Sequence, residues 1–169
     1  MKSLILIFSF CIMLFGKTSA QSPKVSSGPY NLLLRTLLSH SVPEVDVQQL
    51  AHTKEKIVWV DAREKREYEV SHLPNSVWVG YDQLDLSPLT HIPKNQPIVV
   101  YCSVGYRSEK VTEKLIKQGF TNVKNLYGGI FEWKNQGGEV VNEKGKTDDV
   151  HAYNKTWGVW LTKGNKIYQ

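Results

Sequence analysis

Ile98-Val99-Val100-Tyr101-Cys102-Ser103-Val104-Gly105-Tyr106-Arg107-Ser108 is the stretch from which the fold can be read. Ile98 to Tyr101 is an unbroken β-branched and aromatic run, the pattern of a strand covered on both faces, as strands of a parallel sheet are. The run stops at a cysteine. A short loop with one glycine follows, then an arginine, then Ser108, a residue type that suits a helix cap. Val111, Leu115 and Ile116 recur behind it at helical spacing, and Gly119 closes the segment. Working outward, Ile57 to Val60 reads as another buried strand and Glu64 to Val70 as the charged helix after it. Val77 to Tyr81 and Val123 to Leu126 read as further strands, and Gly128-Gly129 leads into a short helix with Phe131 and Trp133. Upstream, Pro29 suits a helix start, and Tyr30, Leu33, Leu34, Leu37 and Leu38 form one apolar stripe. Asp46 with Gln49 is a capping-box pattern that opens a short helix through Leu50. Strands alternating with helices predict an α/β fold, an open parallel sheet with helices on both faces.

The chain has 169 residues, enough for one domain with its own core. Residues 1–20 read as a signal peptide: Lys2, an apolar run from Leu4 to Phe15, then Thr18-Ser19-Ala20 at the cleavage site. That run is too short to span a bilayer comfortably. No cysteine follows the small residues, which argues against a lipid anchor. The expected location is therefore export, to a periplasm or the outside, with no stable membrane anchor after cleavage. Residues 21–28 read as a linker, 29–141 as the domain with its N-terminal helix, and 142–169 as an aromatic tail packed on it through Trp157, Trp160 and Tyr168. Subtracting the 2 charges of Lys2 and Lys17 from the net +5 leaves +3. The bases are interspersed with acids, which argues against a nucleic-acid surface and mildly favours small anions. Of 2 cysteines, Cys11 lies in the leader and only Cys102 remains. An odd thiol in an exported chain is a candidate reactive group.

Cys102 sits where ligands bind in open α/β sheets, beyond the carboxyl end of a strand. Gly105 permits a positive φ, so the loop can turn its N–H groups toward the sulfur. The helix N-terminus and Arg107 add positive charge, and together they favour thiolate over thiol. Such a cradle suits a sulfur anion or a phosphate under attack by the thiolate. The spacing here is Cys-x4-Arg, one residue shorter than the Cys-x5-Arg loop of cysteine-dependent phosphatases, and the smaller ring better fits one extra sulfur atom.

These motifs resemble the rhodanese-like domain family. Cys102-Ser103-Val104-Gly105-Tyr106-Arg107 is similar to its Cys-x-x-Gly-x-Arg loop. Asp61-Ala62-Arg63, Glu67-Tyr68 and Ser71-His72-Leu73-Pro74-Asn75-Ser76 match its upstream signature, and Asn125-Leu126-Tyr127-Gly128-Gly129 with Trp133 its downstream one. Ser71 and Asn75 replace glycines, and Val104 stands where a basic residue is common. The resemblance implies a sulfurtransferase in which Cys102 attacks the outer sulfur of thiosulfate or a similar donor, keeps it as a persulfide, and passes it to cyanide or a thiol. It implies that the N–H groups of Ser103 to Arg107 bind the persulfide and that Arg107 orients the donor. Asp61 would pair with Arg107 or Arg63 to fix the loop, and Ser108 would support it. No metal and no organic cofactor is called for. The implied partners are a small-molecule donor and acceptor, with a protein acceptor also compatible, acting on a monomer. The competing readings are a noncatalytic rhodanese-like binding module and a phosphatase or arsenate reductase of related fold. His72 is expected to make a structural hydrogen bond. His40, His52, His91 and His151 are expected at the surface, Asp148-Asp149 in a solvated turn, and Trp157 and Trp160 in packing roles. Asn154-Lys155-Thr156 is a glycosylation sequon.

Overall fold

The computed structural model describes residues 22–168. The expected signal peptide therefore lies outside the described residues. Among the described residues no helix is long and apolar enough to cross a membrane. Five strands form one all-parallel sheet: β1 (Glu44–Val45), β2 (Val58–Asp61), β3 (Val77–Trp78), β4 (Ile98–Tyr101) and β5 (Val123–Leu126). Their order is β1-β5-β4-β2-β3, so β4 is central and every residue of it is buried.

The period-two alternation of β4 divides the core in two. Val99 and Tyr101 face α1 (Gly28–Leu37), α5 (Gly129–Asn135) and the C-terminal tail, packing with Tyr30, Leu34, Leu38, Ile130 and Phe131. Ile98 and Val100 face the other way, onto Val111 and Leu115 of α4 (Tyr106–Lys117). Ile116, read with that stripe, is exposed instead, since Val111 and Leu115 already define the buried face. α2 (Val47–Ala51) has the capping box: Gln49 N donates to Asp46 Oδ1 at 2.8 Å and Asp46 N to Gln49 Oε1 at 3.0 Å. α3 (Lys65–Val70) follows β2, as the charged segment predicted.

The structure shifts several boundaries. α1 starts at Gly28, capped by Ser27. The linker is tied down, with Lys24 N on Asp46 Oδ2 at 2.9 Å and Ser26 N on Glu132 Oε1 at 2.6 Å. α4 starts at Tyr106 with Gly105 in the cap position at φ 116°, so Ser108 is not the cap but lies inside the first turn. A glycine in the left-handed region lets the chain enter the helix three residues earlier than a cap at Ser108 would. The strand expected from Val77 to Tyr81 ends at Trp78. β6 (Val140–Asn142) and β7 (Gly145–Thr147) form a hairpin that runs across the 141/142 boundary. β8 (Asp149–His151) pairs in parallel with β9 (Asn165–Ile167), and α6 (Lys155–Gly158) lies between them. Val150, Ala152 and Leu161 enter the core, which makes the tail an integral part of the domain. His151 is fully buried rather than at the surface, because β8 carries it inward beside Val150. Asp149 opens that strand, and Asp148 ion-pairs with Lys134 at 2.5 Å.

The turn from β5 into α5 passes very close to the loop after β4. A Cβ on Gly129 (φ 57°) would lie 2.4 Å from Cys102 O and 2.6 Å from Ser103 C, both backbone atoms. Gly129→Ala is expected to lower the unfolding free energy by more than about 2 kcal/mol. Gly28→Ala, where nothing lies within 4 Å, should stay within about 0.5 kcal/mol of the native chain. Urea midpoints at constant slope measure both.

Candidate active site

Cys102 follows the last residue of β4 and is 1% exposed. The loop Cys102–Gly105 is fixed from outside. Ile130 N donates to Cys102 O at 2.9 Å and Phe131 N to Ser103 O at 3.2 Å, both from the first turn of α5. Gly105 O accepts from Asn125 Nδ2 at 3.0 Å and lies 3.1 Å from Ser108 Oγ. These carbonyls are thus engaged away from the sulfur. Gly105 N donates to Cys102 Sγ at 3.2 Å, and Ser108 Oγ lies 3.5 Å from it. Ser108 Oγ also donates to Asn125 Oδ1 at 2.6 Å, so β5 holds the start of α4 through one buried amide.

The sequence-predicted arginines take separate partners. Arg63 is fully buried and pairs with Asp61, Nη2 to Oδ2 at 2.7 Å, and donates from the same nitrogen to Ser71 O at 2.6 Å. Arg107 meets Glu67 instead of Asp61: Nη1 to Oε2 at 2.6 Å and Nη2 to Oε1 at 2.8 Å. Ser103 Oγ joins this pair, donating to Glu67 Oε1 at 3.0 Å and accepting from Arg107 Nη2 at 3.0 Å. The expected bidentate grip of Arg107 on a donor anion is thus already directed at a carboxylate of the chain itself. Charge-assisted fork geometry of this kind is strong and directional. Burial pushes the Glu67 carboxyl up. The hydrogen bond and charge of Arg107, helped by Arg63 and by Glu64 N–H, outweigh that and hold it at about 2. Arg107 is driven upward despite its burial by the same hydrogen bond, and by the nearby Cys102 and Glu67 charges.

Above Cys102 a cavity of about 390 Å³ opens, lined by Leu37, Glu64, Arg66, Tyr81, Asp82, Ser103, Val104, Tyr106, Arg107, Tyr153 and Trp157. Four of the five loop residues beyond the cysteine, Ser103, Val104, Tyr106 and Arg107, line it, and Gly105 does not. Asp61 and Arg63 do not line it and act as a buried brace. The sequence reading assigned no role to Glu67 or Asn125, although both lie in the quoted motifs. A lone acid two turns of chain beyond a strand gives no sign of its partner. Tyr153 carries no pattern, and the sequence suggests only packing for Trp157, whereas it both packs on the core and lines this cavity. Tyr153 sits in the left-handed region (φ 63°) with its ring facing the Arg107 guanidinium at 5.3 Å. For a non-glycine residue that conformation costs on the order of 1–2 kcal/mol. His72 makes the structural contacts expected of it, with Nδ1 3.0 Å from Tyr68 O and its ring stacked on Tyr68. Ser71 is extended at φ −172° and needs no glycine, whereas Asn75 takes φ 59°, a conformation asparagine tolerates.

The chain matches the Rhodanese-like domain family over residues 45–136. It belongs to the rhodanese-like family. This rhodanese-like chain is 33% identical over 98 residues to a Sulfurtransferase of Allochromatium vinosum, covering 58% of the chain and 90% of that protein. It is 35% identical over 81 residues to Thiosulfate sulfurtransferase GlpE of Coxiella burnetii, covering 48% and 75%. Against the Adenylyltransferase and sulfurtransferase UBA4 of Meyerozyma guilliermondii it is 37% identical over 84 residues and spans 20% of that protein's length. Among solved structures, the BH2092 protein of Bacillus halodurans superposes with a TM-score of 0.54 at 26% identity, covering 69% of this chain and 86% of that one. Relatives bearing the sulfurtransferase name support sulfurtransferase activity for this rhodanese-like domain in general terms.

The Glu67–Arg107 pair gives a pH dependence with a definite sign. The folded value of Glu67, about 2, lies below the ordinary 4.5. Its stabilisation is therefore complete above about pH 4.5 and is lost as pH falls toward 2. Glu67→Gln should be about 3 kcal/mol less stable than the native chain at pH 7, and that gap should close between pH 4.5 and 2. Urea unfolding across that range measures it.

Proposed function

We propose that this chain moves sulfane sulfur from thiosulfate or a similar donor to a thiophilic acceptor, through a persulfide on Cys102. The observation that carries this reading is the placement of Cys102 Sγ inside a Cys-x4-Arg loop whose Gly105 N–H points at it at 3.2 Å. The Cys102 thiolate attacks the outer sulfur of the donor. The sulfur–sulfur bond of thiosulfate breaks, sulfite leaves with the electron pair, and Cys102 carries the extra sulfur. This is covalent catalysis with two half-reactions. The inward N–H groups from Ser103 to Arg107 stabilise the persulfide anion, as preorganised donors do at low dielectric. Ser103 and Gly105 hold the ring in shape, and the Glu67–Arg107 pair anchors its far end. Cyanide or a thiol then takes the outer sulfur and restores the thiolate. None of these steps calls on a metal or an organic cofactor.

The apolar run ahead of a small-residue site, Leu4 to Ala20, supports export to a periplasm or the outside, where a single-cysteine chain acts as a monomer on small-molecule donors and acceptors. Mass spectrometry of the full chain after thiosulfate exposure tests the chemistry. The native chain should gain the mass of one sulfur on Cys102 and lose it on addition of cyanide, and Cys102→Ser should gain nothing. Phosphate-ester hydrolysis in place of sulfur uptake would establish the phosphatase reading. Inertness toward both substrates would leave a binding module.

A further inference from the structure

The cavity above Cys102 is larger and less cationic than a small inorganic anion calls for. About 390 Å³ falls within the range of roughly 300–1,000 Å³ typical of organic-ligand pockets. Its charged lining is balanced, with Glu64 and Asp82 opposite Arg66 and Arg107. Arg107 has a carboxylate of its own, Glu67, on both terminal nitrogens. The rest of the wall is apolar or aromatic: Leu37, Tyr81, Tyr106, Tyr153 and Trp157.

Two of these rings come from the tail, beyond the segment matched to the family at residues 45–136. The tail is built to place them. The Tyr153 backbone is held at φ 63°, and its N–H donates to Nδ1 of the fully buried His151 at 3.1 Å. Asn154 then caps α6, accepting from Trp157 N at 3.0 Å. Ser71 Oγ donates to Asp149 O at 2.5 Å, tying the start of the tail strand to the end of α3. Held this way, Tyr153 keeps 42% of its surface exposed at the cavity rim, and Tyr106 keeps 43%. Non-glycine residues held in the left-handed region cluster at ligand sites, where the surrounding structure enforces them. Exposed aromatic rings converging on a reactive atom are recognition surface for an apolar or aromatic body.

We propose that Tyr153 and Trp157 are specificity-determining residues and that the sulfur acceptor is a small organic thiol with an apolar or aromatic body. This assignment rests on the sulfurtransferase reading above. The acceptor's thiol releases its proton to solvent, and its thiolate attacks the outer sulfur of the Cys102 persulfide. A new sulfur–sulfur bond forms on the acceptor as the bond to Sγ breaks, and the electron pair returns to Sγ as thiolate. Sulfur changes carrier with no external oxidant or reductant. During attack the acceptor's body lies between the Tyr153 and Trp157 rings, with Leu37 and Tyr106 closing the sides.

The test uses the full chain loaded with sodium polysulfide, which delivers sulfur to a reactive thiolate regardless of donor preference. After desalting, discharge is followed with benzyl mercaptan, 2-mercaptoethanol and cyanide. In Tyr153→Ala and Trp157→Ala the ratio of the benzyl mercaptan rate constant to that of 2-mercaptoethanol should fall roughly tenfold, and Tyr153→Phe should restore it. The loss should appear in the half-saturating concentration of benzyl mercaptan rather than in the limiting rate. An unchanged ratio in both alanine variants overturns the assignment. So does a parallel loss with all three acceptors, which would mark the rings as scaffold only. If the native chain takes up no sulfur on Cys102, the sulfurtransferase reading fails first and this assignment falls with it.

Discussion

Two backbone hydrogen bonds set the geometry on which the site depends. Ile130 N and Phe131 N, in the first turn of α5, take the carbonyls of Cys102 and Ser103. A peptide plane carries its C=O and N–H on opposite sides, so a carbonyl pulled outward points its amide partner inward. The loop holds this course because the β5–α5 turn approaches it within backbone contact. That approach admits no Cβ at Gly129. Asn125 adds a third outward pull on Gly105 O from β5, the strand beside β4. The cradle is thus held by sheet order as much as by its own residues.

Electrostatics around the loop are arranged as two neighbouring pairs rather than as free positive charge. Asp61–Arg63 is fully buried and braces the end of β2 against the Ser71 carbonyl. Glu67–Arg107 links α3 to the start of α4 and takes in Ser103. Buried ion pairs of this kind contribute little net stability over well-packed apolar residues, because each charge must first be desolvated. Their value here is positional. A bidentate fork permits one geometry, and the depressed Glu67 carboxyl keeps the pair charged at neutral pH and well below it. Arg107 is then a fixed element of the loop's far end rather than a mobile clamp.

The C-terminal segment completes the domain in two senses. Val150, Ala152 and Leu161 fill the side of the core that α1 and α5 share with Val99 and Tyr101. The same segment carries Tyr153 and Trp157 to the mouth of the cavity. Packing and site-building are coupled because β8 serves both: Val150 fills the core, and His151, buried as well, accepts from Tyr153 N at the turn that leads to the cavity.

Much of this was legible in the residues alone. The fully buried strand at Ile98 to Tyr101, a strand near Ile57 to Val60 that is only half-buried at its start, the capping box at Asp46 and Gln49, and the positive φ of Gly105 follow from side-chain shape and backbone sterics over a few neighbouring positions. Cys102 and its loop are contiguous in the chain, so a linear motif can carry them. Partner choice is a different kind of fact. Nothing local tells Arg107 to take Glu67 rather than Asp61, places Ser108 inside a helix instead of at its cap, or buries His151. These follow from how strands order in the sheet and how far apart their ends lie. The sequence by itself determined the fold class and singled out the candidate cysteine, because both depend on short-range periodicity and on residue type. Only the tertiary structure decided that Arg107 meets Glu67 and that Tyr153 and Trp157 line the cavity with Cys102, because those pairings join segments 40 or more residues apart.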